Sequence, residues 1–247
     1  MSSNWPEGVA RVVLPVVGST NAEAALRAPG PAWVLGLEQT AGRGRRARAW
    51  ASPRGNFHAS LVMAPGGPAA QVALRSFVAS LALRDAFVAL TGLPQAFALK
   101  WPNDVLCNGG KIAGILLESA SSGAGMAHLV VGIGVNLIAA PDDALIEAGA
   151  VLPVTLLAET GLRVSPEGFL DALAPAFAAR ETQFVAQGFA TIRADWLAHA
   201  TRLGETIRAR TGTAVHTGRF ETVDETGALI LMTPHGRLAI PAADVFF

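Results

Sequence analysis

A chain of 247 residues is long enough to bury one sizeable core and a small appended unit, so it needs neither disulfides nor structural metal. Its 19 basic and 19 acidic side chains cancel, which excludes a global field drawing it to nucleic acid or an acidic membrane, so any anion site must be local. The single cysteine, Cys107, excludes an internal disulfide, no zinc-spaced Cys/His cluster occurs, and a cytoplasmic location follows as the expectation.

The N-terminal residues 1–11 lack a basic segment followed by an apolar run, so they do not read as a signal peptide. No stretch approaches roughly twenty uninterrupted apolar residues, and no membrane association is expected. The apolar fraction of 51% is largely alanine, which suits helices packed against a sheet.

Residues 11–17 form a short β-branched run that ends in Gly18-Ser19-Thr20-Asn21, after which residues 22–26 read as helix. Ser19 and Thr20 have the chemistry of helix caps. Residues 33–38 read as a strand leading into a loop at 42–48 that carries Arg43, Arg45, Arg46 and Arg48. Such clustered guanidinium groups repel unless solvent or an anion offsets them, and Gly42 and Gly44 admit close backbone approach to a ligand. The G-x-G-x-x-A spacing of Gly42, Gly44 and Ala47 meets the loose dinucleotide fingerprint. It lacks the following helix and the later acidic residue, so that reading is set aside.

Residues 57–63 predict a strand, and Pro68 opens a helical pattern to about residue 90. Two further strands are expected at 97–106 and 111–118, joined by the hairpin signal Asn108-Gly109-Gly110. That hairpin brings Lys100, Asn103, Asp104 and Lys111 together, two cations with an amide and a carboxylate, which are the ingredients of a nucleotide and phosphate site. Gly109-Gly110-Lys111-Ile112 does not fit the Walker pattern. Residues 128–137 form another strand, whose glycines would let a ligand approach and which delivers Asn136 to its end. The pattern is helical over 153–199, with starts at Pro153 and Pro166 and a stop at Gly161. Beyond residue 203, short strand-like pieces at 206–210, 214–222, 228–232 and 237–240 alternate with turns and predict a small β-barrel-like unit.

Taken together, GRGRRARAW at 42–50, KWPND at 100–104, KIAGILLE at 111–118 and GIGVN at 132–136, with Ser19-Thr20-Asn21 upstream, resemble in order and spacing the signature of the biotin protein ligases. The similarity covers residues 10–140; the rest fits in general pattern only. The resemblance implies an α/β (α+β) fold: a mixed sheet with flanking helices like that of class II aminoacyl-tRNA synthetases over residues 1–202, followed by an SH3-like domain over 203–247. It leaves no room for the N-terminal winged-helix repressor domain of some members, so operator binding is not expected.

The resemblance also implies an ATP-dependent enzyme that activates biotin as biotinyl-5'-AMP with Mg2+ and transfers it to a lysine of a biotin carboxyl carrier protein. By motif, Ser19, Thr20, Asn21, Gln39, Arg43, Gly44, Arg45, Trp50 and Lys111 would contact biotin. Arg43, Arg45, Arg46, Arg48, Lys100, Asn103, Asp104, Lys111 and Asn136 would serve ATP or the adenylate, with Lys111, Arg45 and Asp104 as the catalytic set. For Lys100, Asn103, Asp104 and Asn136 it leaves nucleotide, metal and acceptor-lysine contacts open, without fixing a metal ligand set, and it leaves a homodimer open. Ala47 stands where the family usually carries glycine, a change expected to stiffen the loop. Two other readings stay open at this point: a lipoate or octanoate ligase of the same fold, and a nucleic-acid-binding module built on the basic loop and terminal β-unit. Neutral net charge and the lack of interleaved aromatics weigh against the second.

Overall fold

The computed structural model describes residues 4–122, 125–141, 147, 149–212 and 214–247. Strands β1 (Ala10–Leu14), β2 (Ala32–Gly36), β3 (Phe57–Met63), β4 (Phe97–Lys100), β5 (Asp104–Cys107), β6 (Gly110–Ser122) and β7 (Gly125–Val135) form one sheet in the order β1-β2-β3-β7-β6-β5-β4. Only β1 and β2 run parallel; the remaining pairs are antiparallel. Strand alternation assigns the two faces. Phe57, Ala59 and Leu61 of β3 and Val131, Ile133 and Val135 of β7 join the main core. That core is covered by α3 (Arg75–Thr91) and α5 (Pro166–Gln187), whose Phe87 and Phe169 rings lie against Phe97 and Phe57 at centroid distances of 4.8 and 4.9 Å. Residues of opposite parity on the same strands, His58, Ser60, Gly132 and Gly134, face the other side. There α1 (Thr20–Ala25) closes part of the sheet through a small cluster of Ala24, Val34, Val62 and Val130.

The C-terminal strands β8 (Thr206–Thr211), β9 (Ala214–Val223), β10 (Leu229–Thr233), β11 (Gly236–Ile240) and β12 (Asp244–Phe246) make a five-stranded antiparallel sheet in the order β11-β10-β9-β8-β12. Its apolar residues Phe220, Leu229 and Leu231 belong to the same hydrophobic cluster as the main core. Trp101 reinforces the junction, its indole N–H donating to the Gly227 carbonyl at 3.0 Å. No helix among the described residues is long and apolar enough to cross a membrane.

Several boundaries differ from the sequence expectation for physical reasons. The expected strand at 97–106 is two strands, β4 and β5, because Pro102 has no N–H for the ladder and the chain turns at 101–103. The helical pattern after Pro68 divides at Leu74 into α2 (Ala69–Ala73) and α3, ended by Gly92 at φ 71°. Pro153 does not start a helix. It forms a bridge beside Lys111, and α4 (Leu156–Thr160) begins instead at Thr155, whose hydroxyl accepts from the Ala158 N–H. Pro166 does open α5, behind a capping Ser165, before the chain continues into α6 (Phe189–Leu197). The first strand stops at Leu14, and β12 lies beyond the last predicted piece.

Candidate active site

The face opposite α3 and α5 holds a cavity of about 1060 Å³. Its lining includes Ser19, Thr20, Asn21, Gln39, Arg43, Gly44, Arg45, Arg48, Trp50, Lys100, Asn103, Asp104, Lys111 and Asn136, so the structure gathers residues spread over more than a hundred positions. Arg46 is the exception: it does not line the cavity, and its guanidinium pairs with Asp244 at 2.7 Å.

One end is neutral and densely hydrogen-bonded. Ser19 occupies the N-cap position of α1, but its side chain does not cap the helix. Thr20 donates through both its backbone N–H and its hydroxyl to Gln39 Oε1, at 2.8 and 3.0 Å. Because a backbone N–H can only donate, this contact fixes the Gln39 amide with its NH2 toward Ser52 Oγ at 2.8 Å. Ser60, buried on β3, brings its hydroxyl within 2.8 Å of Thr20 Oγ1 and 2.6 Å of Asn21 Oδ1. Asn21 in turn donates to Glu118 at 2.6 Å. The floor is backbone: a Cβ on Gly132 would sit 2.1 Å from Asn21 Oδ1.

Trp50 forms the wall between the two ends. Gly114 and Gly134 face each other across the β6–β7 ladder, and the indole lies over both. A Cβ on Gly134 would come within 2.5 Å of the indole nitrogen, so the paired glycines make the seat. The loop before Trp50 is a narrow arch, with Gly44 N–H donating to Arg48 O at 2.8 Å and Trp50 N–H to Gly42 O at 3.0 Å. Gly42 is sterically required there, since a Cβ would lie 2.5 Å from Ser52 Oγ; Gly44 has no such crowding. The expected effect of the Ala47 side chain lies outside the described residues.

The other end is ionic. The turn after β4 makes Lys100 and Asp104 register partners, and the tight turn at Asn108 and Gly109, both at positive φ, folds β6 back beside β5. Lys111 Nζ lies 2.7 Å from Asp104 Oδ1 and 5.6 Å from the Trp50 ring centre, while Lys100 Nζ lies 3.7 Å from Asp104 Oδ2. The backbone of Lys111 is held on its free side by Leu152 and Val154, which is why the segment at Pro153 is extended. Burial alone would raise the Asp104 pKa, but Lys111 and Lys100 outweigh it and hold the carboxyl below its ordinary value. Burial lowers the Lys100 pKa, with Asp104 opposing and Lys111 adding to the fall. Asn103 locks the turn to β6 by donating to Ile115 O at 2.6 Å.

Strand β12 closes this end. Asp244 Oδ2 accepts from Arg46, Arg48 and Arg210 at 2.7, 2.9 and 3.2 Å. Arg45 reaches the Ala243 carbonyl at 3.2 Å, and burial pulls its pKa below the ordinary arginine value, with Asp244 opposing. Glu147 adds pairs to Arg48 and Arg210. Sequence reasoning missed Ser52, Ser60, Glu118, Glu147 and Asp244. Ser60 carried a signal, a lone hydroxyl inside the apolar run FHASLVM; the last strand, of three residues, carried none.

Comparison with known proteins shows the family. Residues 14–136 match the biotin/lipoate A/B protein ligase family, and residues 203–247 match the biotin protein ligase C-terminal domain. The chain is 58% identical over 232 residues to a biotin–[acetyl-CoA-carboxylase] ligase of Paracoccus denitrificans, spanning 93% of this chain and 97% of that one. A ligase of the same name from Mycobacterium tuberculosis is 31% identical over 245 residues, with 94% and 87% covered. The solved structure of a biotin protein ligase from Aquifex aeolicus in complex with biotin and ATP superposes with a TM-score of 0.78 at 25% identity, covering 96% of this chain and 97% of that one. The chain belongs to the biotin/lipoate protein ligase family, among its biotin protein ligases.

Proposed function

We infer that the protein is an ATP-dependent biotin protein ligase whose cavity binds biotin at its neutral end and the nucleotide at its ionic end. The observation that carries this reading is the position of Lys111, in contact with Asp104 and beside Trp50, where the two ends meet. In the first half-reaction a biotin carboxylate oxygen attacks the α-phosphorus of ATP, an acyl–phosphate bond forms and pyrophosphate leaves. Both reactants are anions, so the protein must place cations between them before the bond forms. Lys111 bridges carboxylate and α-phosphate, and Lys100 and Arg45, with Arg43 and Arg48, meet the remaining phosphate charge. Asp104, itself buried, keeps the two lysines converged. In the second half-reaction a lysine amine of a carrier protein attacks the acyl carbon, and AMP departs with the bonding electrons.

At the neutral end, Ser19, Thr20, Asn21 and Gln39 supply fixed donors and acceptors that recognise the polar ring of biotin, and Trp50 covers its apolar part. Arg43, Gly44 and Arg45 close over the mixed anhydride, which water would otherwise hydrolyse. Mg2+ enters with ATP. Among the described residues no group of three metal-ligating side chains exists, and Asp104 Oδ1 is already paired with Lys111 at 2.7 Å, so the ion would be held mainly by the phosphates themselves. When bound, the ion would neutralise phosphate charge. The division of labour assigns catalysis to residues 1–202 and closure of the nucleotide end to residues 203–247. The single cysteine, Cys107, is buried and unpaired, in keeping with a reducing, cytoplasmic setting, and burial pushes its thiol pKa up to about 11, which makes it poorly reactive.

Incubation with ATP, Mg2+, biotin and a biotin carboxyl carrier domain, followed by mass analysis of the carrier, tests the reading. One biotinyl group on one lysine is expected. A carrier modified by lipoate or octanoate but not by biotin would overturn it.

A further inference from the structure

Glu118 does not line the cavity, yet it holds two residues that do. It lies on β6 opposite Val130, with one carboxylate oxygen accepting from Asn21 Nδ2 at 2.6 Å and the other 3.4 Å from the Arg43 guanidinium. An ionised carboxylate can only accept, so Asn21 must turn its NH2 toward Glu118 and its carbonyl toward Ser60. Gly132 makes room for that orientation, because any Cβ there would strike the Asn21 carbonyl oxygen. Ser60 links Asn21 to Thr20, and Thr20 links to Gln39. The polar face of the neutral end is therefore one connected array with Glu118 as its terminal acceptor, and the same carboxylate extends to the first arginine of the loop.

We propose that Glu118 is a positioning residue that orients Asn21 for biotin and ties Arg43 to that orientation, so that filling the pocket and ordering the loop are coupled. The inference rests on the biotin reading above. As an isolated contact, the Arg43–Glu118 pair is half-exposed and of the kind worth little. Its effect on biotin comes from the buried amide it shares a partner with. Removing the carboxylate frees the Asn21 amide to rotate, whereas Glu118→Gln leaves an acceptor for Asn21 and withdraws the charge from Arg43.

The test measures biotin KM and kcat in the full biotinylation assay for the unaltered protein, Glu118→Ala, Glu118→Gln, Arg43→Met and the Arg43→Met/Glu118→Gln double variant, with thermal melting of each. Glu118→Ala should raise the biotin KM about tenfold with kcat changed by less than about twofold, and Glu118→Gln about threefold. In the Arg43→Met background the glutamine substitution should have no further effect, the signature of action through Arg43. An unchanged KM in a folded Glu118→Ala protein overturns the proposal. So does a glutamine effect that persists undiminished without Arg43. If Glu118→Ala does not fold, the near-isosteric glutamine and its double variant decide alone. Failure of the unaltered protein to use biotin sinks the biotin reading and this inference with it, whereas normal biotin use with flat KM values sinks the inference only.

Discussion

At the neutral end of the cavity, Thr20, Asn21, Gln39, Ser52 and Ser60 satisfy one another through short hydrogen bonds; at the other end, Lys100, Lys111, Asp104, Asp244 and the loop arginines are joined by ion pairs. The neutral array is built on β3, the start of α1 and the backbone of β7, all fixed by the core behind them. The ionic end combines a β-turn, a hairpin and an arginine arch closed by the C-terminal strand. Neutral partners with fixed geometry discriminate one ligand shape from another, because a mismatched ligand leaves buried groups unpaired. Ion pairs can exchange partners, so an arriving phosphate can take over guanidinium groups that carboxylates hold without it. In the function proposed above, selectivity and charge neutralisation are separated in space, so substitutions at the two ends should fail differently.

The largest effect should come from Lys111→Ala, which removes the cation at the junction. The biotinylation rate should fall by about one hundredfold or more, the scale of losing an electrostatic stabiliser of the transition state. A folded Lys111→Ala protein working at the normal rate would move the reaction centre elsewhere. On the neutral side, Gly132→Ala pushes a methyl group into the Asn21 amide and should raise the biotin KM about thirtyfold with kcat within about threefold. If kcat falls instead and KM holds, the two ends are not separate in the way their chemistry suggests.

Smaller changes sharpen the contrast. Asp244→Asn leaves three arginines facing one another without their shared carboxylate and should speed release of biotinyl-adenylate about fivefold, more at low salt than at high. Release that is equal at every ionic strength would detach the loop from the C-terminal strand. The last prediction concerns acid and should leave activity at neutral pH least affected. His58, on the neutral face and almost wholly buried, is pushed down to about 4 by burial, with the Pro53 carbonyl opposing. Between that value and the ordinary 6.5 the unfolded chain binds more protons, so stability rises with pH across this window. Acidification through it should remove about 3 kcal/mol of folding free energy, and His58→Gln should flatten the slope measured by denaturant titration. Asp104, held low by its lysines, keeps its charge over the same range, so acid should weaken the neutral end first.

The parts that the sequence made legible are those where one residue type has one physical use. Gly42, Gly109 and Gly161 mark an arch, a hairpin and a helix stop, and the charged motifs lie where strand ends must converge. Other features depend on partners distant in sequence. Ser60 looks like a strand residue until α1 is laid over it, Glu118 like a solvated strand end until Asn21 and Arg43 reach it, and Asp244 like tail. Pro153 misled because a proline suits both a helix start and an extended edge, and the backbone of Lys111 decides between them. Residues 97–106 read as one strand because the apolar alternation continues through Trp101, which is buried in the main core with its indole N–H on the Gly227 carbonyl.

The central claim is that the two ends cooperate to join biotin to AMP before any carrier is present. A single-turnover mixture of the protein, ATP and Mg2+ with excess biotin, quenched and separated without carrier, measures it directly, with lipoate and octanoate as parallel acyl donors. The account predicts close to one biotinyl-5'-AMP per chain, pyrophosphate in equal amount, and no adenylate from the other acids. Adenylate formed equally well from lipoate or octanoate, or none formed from biotin, would contradict it.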